Sequence, residues 1–277
     1  SGAATVPPCI ERAADFHLHF PYPDGTLCET VDGRVRYRYN PLPKGGPGFV
    51  AVSSGKGFFR NQIQRVIAHQ EAVEGVSFID GYGRALEELA DVYLCLDETE
   101  ETSPPTFRDK RRYAALRADK ALVRRHDAWF YCLSGYLTPR QRRSGLSRSR
   151  FILDRQNYLS VWHEGSGLVI GGGNSKHQPA LSTFEVRTGP VSLCQADKAV
   201  LQQEQDGDVL RLVYGDTTTE ICLRPADGVM ELIFTLIEQG PGTQEVLGGF
   251  TLPRLLGERV TTSNAEEAVT LEPLQVW

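Results

Sequence analysis

Methionine is nearly absent: Met230 is the only one in 277 residues. The six cysteines, Cys9, Cys28, Cys95, Cys132, Cys194 and Cys222, form no Cys-x-x-Cys pair, which argues against a zinc ribbon or a thioredoxin-like redox motif. No apolar run approaches the roughly 20 residues of a membrane-spanning helix, so no membrane partner is expected. The first residues, Ser-Gly-Ala-Ala-Thr, carry no Met and no charged-then-apolar leader. No signal peptide is expected, and the chain reads as a fragment or a processed product. Excess positive charge is lacking too. Thirty Lys and Arg against 35 Asp and Glu leave a net charge of −5, a balance that does not predict nucleic-acid binding through a broad basic surface. There is no internal repeat and no low-complexity tract.

What is present suits a soluble globular protein. Hydrophobic residues make up 40% and charged residues 23%, enough apolar material for one large domain or two modest ones. Cys95, Cys132, Cys194 and Cys222 sit in apolar runs such as "VYLCL" and "WFYCL". They read as buried free thiols acting as small hydrophobes, and they lean towards a reducing, cytoplasmic setting.

The pattern changes once along the chain. Residues 1–100 read as a helical segment. Helices are expected over 9–20, stopped by Pro21 and Pro23 before a Pro-Asp-Gly turn, over 55–73 and over 78–98. "DETEETSPPT" at 97–106 is acidic and proline-rich and marks a boundary. From 107 to 277 the period becomes two, with turn signals every 8–12 residues, which predicts an antiparallel β-sandwich. Two strands are expected around a turn near Asp119, and hairpin turns at "QDGDV" and "YGDTT". The basic run 108–125 reads as a solvated sheet face. The expected class is α+β, a short helical segment followed by a sandwich.

Three stretches carry a resemblance. "FPYPDGTLCETVDGRVRYR" (20–38), "GFVAVSSGKGFFRNQIQRV" (48–66) and "DRQNYLSVWHEGSGLVIGGGNSKHQPALSTF" (154–184) resemble segments of heparinase II/III-like proteins, over about residues 10–190. The resemblance implies the last helices of an α/α toroid followed by early strands of the sandwich. It also implies polysaccharide-lyase chemistry, β-elimination on an acidic, uronate-bearing polysaccharide or oligosaccharide held between toroid and sandwich. The resemblance also implies that the earlier toroid helices, which would carry much of that family's machinery, are missing from this chain.

β-Elimination on a uronate needs a group to neutralise the carboxylate, a base for the adjacent proton and an acid for the leaving oxygen. The family draws one His from its sandwich, and His163 or His177 matches that position. Strand alternation sets His163 with Leu159 and Val161, opposite Tyr158, Ser160 and Trp162. It reads either as the catalytic His, held in one tautomer by a nearby carboxylate such as Glu164, or as a core His with one hydrogen bond. Arg155, Asn174, Lys176, His177 and Trp162 are the expected substrate-binding residues, although Arg155 could pair with Asp154 or Glu164 and the Gly-rich loop 171–179 could be merely solvated. "ETVDGRVRYRYN" (29–40) reads more as a loop stapled by Asp–Arg pairs than as a cleft rim. No cofactor is expected. Some family members hold zinc in the sandwich, but no spacing marks a third ligand beside His163 and His177. The rival reading is a non-catalytic carbohydrate-binding or structural module, with exposed Trp129 and Trp162 stacking on sugars. A two-carboxylate hydrolase would need a close acid pair, which no spacing marks.

Overall fold

The computed structural model describes residues 19–24, 28–30, 113–116, 120–137, 156–171, 182–204, 206–226, 228–252, 259–260 and 269–270. The helices expected at 55–73 and 78–98, nearly all of that at 9–20, and the boundary at 97–106 lie outside them.

The described chain is almost entirely antiparallel sheet. The first sheet has the order β1 (Tyr113–Leu116), β2 (Ala121–His126), β3 (Trp129–Ser134), β4 (Leu159–His163), β5 (Gly167–Ile170). A three-stranded sheet places β6 (Phe184–Thr188) between β7 (Val191–Leu193) and β12 (Thr243–Gly248). A four-stranded sheet runs β8 (Lys198–Glu204), β9 (Gly207–Tyr214), β10 (Thr217–Ala226), β11 (Val229–Glu238). A short pair, β13 (Arg259–Val260) and β14 (Val269–Thr270), follows.

Two of the expected turns are present. Glu204 pairs with Gly207, and Tyr214 with Thr217, so each hairpin has a two-residue loop. Gly215 takes a φ of +61° in the second, where a side chain would be strained. The expectation of two strands near Asp119 is corrected to three. A second loop, Asp127-Ala128, joins β2 to β3, with His126 opposite Trp129. Asp127 supplies the positive φ, 51°, that such loops use, and Asp tolerates it better than most residues. With no Gly or Pro there, the run 121–134 reads as continuous.

Period two makes the first sheet two-faced. One face sends Leu122, Tyr131, Leu133, Leu159, Val161 and Ile170 into a core shared with Leu210, Leu212, Ile221 and Leu223 of the four-stranded sheet and Phe184 and Val186 of the three-stranded one. Antiparallel sheets around one apolar core are consistent with a β-sandwich. The opposite face sends Ala121, Val123, Phe130, Cys132, Trp162 and Leu168 outward, yet these are buried too. Phe20, Tyr22 and Cys28 cover them. Each such aromatic contributes roughly 1.5–3 kcal/mol by leaving water, so residues 19–24 and 28–30 act as a lid on that face.

One ionic staple crosses the core. Asp208 of β9 is fully buried and receives Arg124 twice, from Nε at 2.6 Å and Nη2 at 2.8 Å, and the Tyr131 hydroxyl at 2.5 Å. Burial and then the adjacent carboxylate push the Tyr131 hydroxyl far above its ordinary value. The bidentate bond to Asp208 holds Arg124 firmly protonated. This corrects the reading of the basic run as a solvated face at Arg124 and Arg125; Lys120 is exposed as expected, and the side chains of 108–119 lie outside the described residues. Both faces of β2 are covered: Arg124 turns to Asp208, and Arg125 is 4% exposed, beside Trp162.

Candidate functional site

Alternation along "LSVWH" places His163 at the end of β4, where the core face reaches the rim beside the β4–β5 turn. Its cross-strand partner is Trp129. The two rings meet at 4.5 Å between centroids, tilted by 57°. His163 and Trp129 are both half-buried, so the imidazole has one side fixed and another towards solvent.

The β4–β5 turn also fixes the ring's hydrogen bonding. The Gly165 amide donates to His163 Nδ1 at 3.1 Å. A neutral imidazole with Nδ1 accepting carries its proton on Nε2. In this arrangement His163 is a donor from Nε2, suited to a carboxylate. To act as a base, the ring would need a free lone pair, and Nδ1 is engaged.

Glu164 is not the orienting partner expected for His163. Adjacent strand residues point to opposite sides, and Glu164 goes to Arg125, whose Nη2 donates at 3.2 Å. Arg125 Nε donates to the Asp127 carbonyl at 2.7 Å, and its guanidinium carbon lies 5.5 Å from the centre of the Trp162 ring. Burial pulls the Arg125 guanidinium down, while Glu164 and Asp127 oppose this.

Trp162 is not an exposed sugar platform. It is 4% exposed, packs among Phe20, Tyr22 and Phe130, and its indole N–H donates to Asp24 at 3.2 Å. Tyr158 also departs from the expected side. It precedes β4, lies in the sandwich core and accepts the Ala196 amide on its hydroxyl at 2.9 Å. Gln156 and Asn157 are buried, with Gln156 Nε2 donating to the Tyr136 carbonyl. Arg155, Asn174, Lys176 and His177 lie outside the described residues, so His163 and Trp162 are the expected site residues whose positions are described. They are sequence neighbours that the strand turns to opposite faces.

A second polar cluster, not anticipated from the sequence, lies under the lid. The Tyr22 hydroxyl donates to Glu29 at 2.7 Å, the Cys28 thiol approaches the Tyr22 hydroxyl at 3.6 Å, and Cys28 Sγ lies 3.2 Å from Ser160 Oγ. Burial raises the Tyr22 hydroxyl, and the nearby Cys28 and Glu29 add to this. The Asp–Arg pairs expected to staple loop 29–40 lie outside the described residues, and Glu29 is held instead by Tyr22. Cys28 meets a strand 132 residues later, and no local signal reports such a contact. Of the four apolar-run thiols, Cys132 and Cys222 are buried and reduced, Cys194 is half-buried, and Cys95 lies outside the described residues.

Among the described residues no three His, Cys, Asp or Glu side chains converge as a metal site, so His163 has no zinc partners there. No helix among them is long and apolar enough to cross a membrane. No family model, curated protein or solved structure matches the chain.

Proposed function

We propose that this chain is the last toroid helices and the sandwich of a polysaccharide-lyase-like protein acting by β-elimination on an acidic, uronate-bearing polysaccharide or oligosaccharide. The observation that supports the reading is His163 itself: half-buried on Trp129, held by the Gly165 amide, with Nε2 as its remaining donor. In this reading Nε2–H donates to the uronate carboxylate and makes the adjacent carbon acid more acidic. Arg155, Asn174, Lys176 and His177 are the proposed further contacts to the acidic sugar. The base and the leaving-group acid come from elsewhere, in keeping with the toroid residues that the resemblance implies.

The test is absorbance at the ultraviolet band of an unsaturated uronate, during incubation with heparan sulfate, chondroitin, hyaluronan and alginate. A rise that His163→Ala abolishes supports the reading. A folded protein that produces no rise with any of the four overturns activity by this chain alone.

One observation favours a second reading, a non-catalytic carbohydrate-binding module. The Nδ1 lone pair is already engaged by Gly165, so the ring is set to donate rather than to remove a proton. In that case glycan binding persists without any absorbance change.

A further inference from the structure

Cys28 lies above a cross-strand pair. Cys132 of β3 and Ser160 of β4 are direct register partners, and on one face of an antiparallel pair such neighbours have Cβ atoms about 4.5–5.5 Å apart. Cys28 Sγ reaches Ser160 Oγ at 3.2 Å from above. Cys28 and Cys132 belong to the same buried cluster beneath the lid, and Cys28, Cys132 and Ser160 are all fully buried. Residues 28 and 132 are far apart in sequence and belong to the lid and to the sheet it covers. We propose that Cys28 and Cys132 form a redox-closed clasp, a disulfide that fastens Cys28 and the lid residues beside it to the outer face of the first sheet when a small peroxide reaches it.

The surroundings divide the two sulfurs into attacker and resolver. Burial raises the Cys28 thiol, but hydrogen bonds with Cys132, Ser160, Tyr22 and the Thr30 backbone outweigh this and bring it down to about 7. Cys132 is pushed well up by burial and by Cys28. Ser160 Oγ, 3.2 Å from Cys28 Sγ, can donate to a thiolate there, which makes Cys28 the nucleophile. It attacks one oxygen of hydrogen peroxide, the O–O bond breaks, and Cys28 becomes a sulfenic acid as hydroxide leaves and takes up the proton that Cys28 gave up. The Cys132 sulfur then attacks the Cys28 sulfur. The S–S bond forms, the S–O bond breaks, and the departing hydroxyl leaves as water with the Cys132 proton. Two thiols are oxidised and one peroxide is reduced to two waters. Burial favours an oxidant of this size over a bulky disulfide.

The lid already rests on the sheet through Phe20, Tyr22 and the Trp162–Asp24 bond, so closing the clasp stiffens an existing arrangement. A cross-link over a loop of about 100 residues restricts the unfolded chain strongly. Oxidation is expected to raise Tm by roughly 10 °C.

The test treats the reduced protein with stoichiometric hydrogen peroxide, alkylates the remaining thiols after denaturation and maps the peptides by mass spectrometry, with thermal unfolding in parallel. The expected result is a peptide carrying residue 28 linked to one carrying residue 132, together with a Tm increase that dithiothreitol reverses. Cys132→Ser should lose both, and Cys222→Ser neither. Cys28 and Cys132 recovered unlinked from the wild type, or a Tm rise that persists in Cys132→Ser, would overturn the proposal. The wild-type peptide map decides the matter even where a cysteine variant folds poorly.

Discussion

Tyr131 of β3 and Asp208 of β9 join two sheets through a 2.5 Å hydrogen bond, and Arg124 closes the same carboxylate from the side. Asp208 is fully buried, and Arg124 and Tyr131 supply its hydrogen bonds. Asp208→Ala leaves Arg124 partly buried without its counter-charge and the Tyr131 hydroxyl without its acceptor. A loss of about 3–5 kcal/mol is expected in urea unfolding. Tyr131→Phe, which keeps the ring and removes one hydrogen bond, should cost about 1–2 kcal/mol.

Tyr131 also sets an alkaline limit. Its folded-state pKa lies above the ordinary 10.0 because of burial first and Asp208 second. Below pH 10 both folded and unfolded chains keep the proton, and the contribution is fully present. Above it the unfolded chain loses the proton while the folded chain retains it. Stability then falls with rising pH by about 1.4 kcal/mol per unit for this group. Tyr131→Phe should flatten that limb in unfolding measured between pH 9 and 11, although Tyr22, raised in the same direction, leaves some slope.

Gly171, just beyond β5, touches the lid. A Cβ there would overlap the Glu29 carboxylate and stand 2.9 Å from Leu168 Cδ2. Glu29 is buried and held by Tyr22, so it has little room to withdraw. Gly171→Ala is expected to loosen the lid residues around Glu29 and Tyr22 while the sandwich core stays intact. Limited proteolysis checks this: cleavage within residues 19–24 should speed up by tenfold or more, an order set by about 1.4 kcal/mol of local opening.

On the proposed function, Trp129 is a positioning residue. Trp129→Ala removes the surface that fixes His163 without removing the imidazole. A loss in kcat of roughly 10–100-fold is expected, the scale of a misplaced reacting group, while Trp129→Phe should restore most of it. Equal activity in wild type and Trp129→Ala would show that the stacked ring has no bearing on the chemistry.

Much of the sandwich was readable because its hairpins obey local rules. Gly215-Asp216 and the turn at Asp206 announce themselves by composition, and the alternation of β9 and β10 follows. The loop at Asp127 was not readable, since its φ of 51° is carried by a residue that also occurs in strands. The faces of β2 were misread for another reason. Alternation tells which residues share a side, but not whether that side meets water. Arg124 and Arg125 both look solvated until Asp208 and Trp162 are brought to them by strands far along the chain. The same holds for Trp162: its position opposite His163 was legible, and its cover by Phe20 and Tyr22 was not. Cys28 was invisible as a partner of Ser160 because nothing local in "TLCET" points to β4.

Trp162 and His163 occupy successive positions on one strand, the first anchoring the lid and the second facing the sandwich rim. A peptide plane is all that separates them. Inserting or deleting one residue early in β4 would exchange their sides, driving an imidazole under the lid and an indole to the rim. The two faces therefore cannot drift independently in sequence length. Point substitutions can tune either one, but any change in the spacing of β4 rewrites both at once.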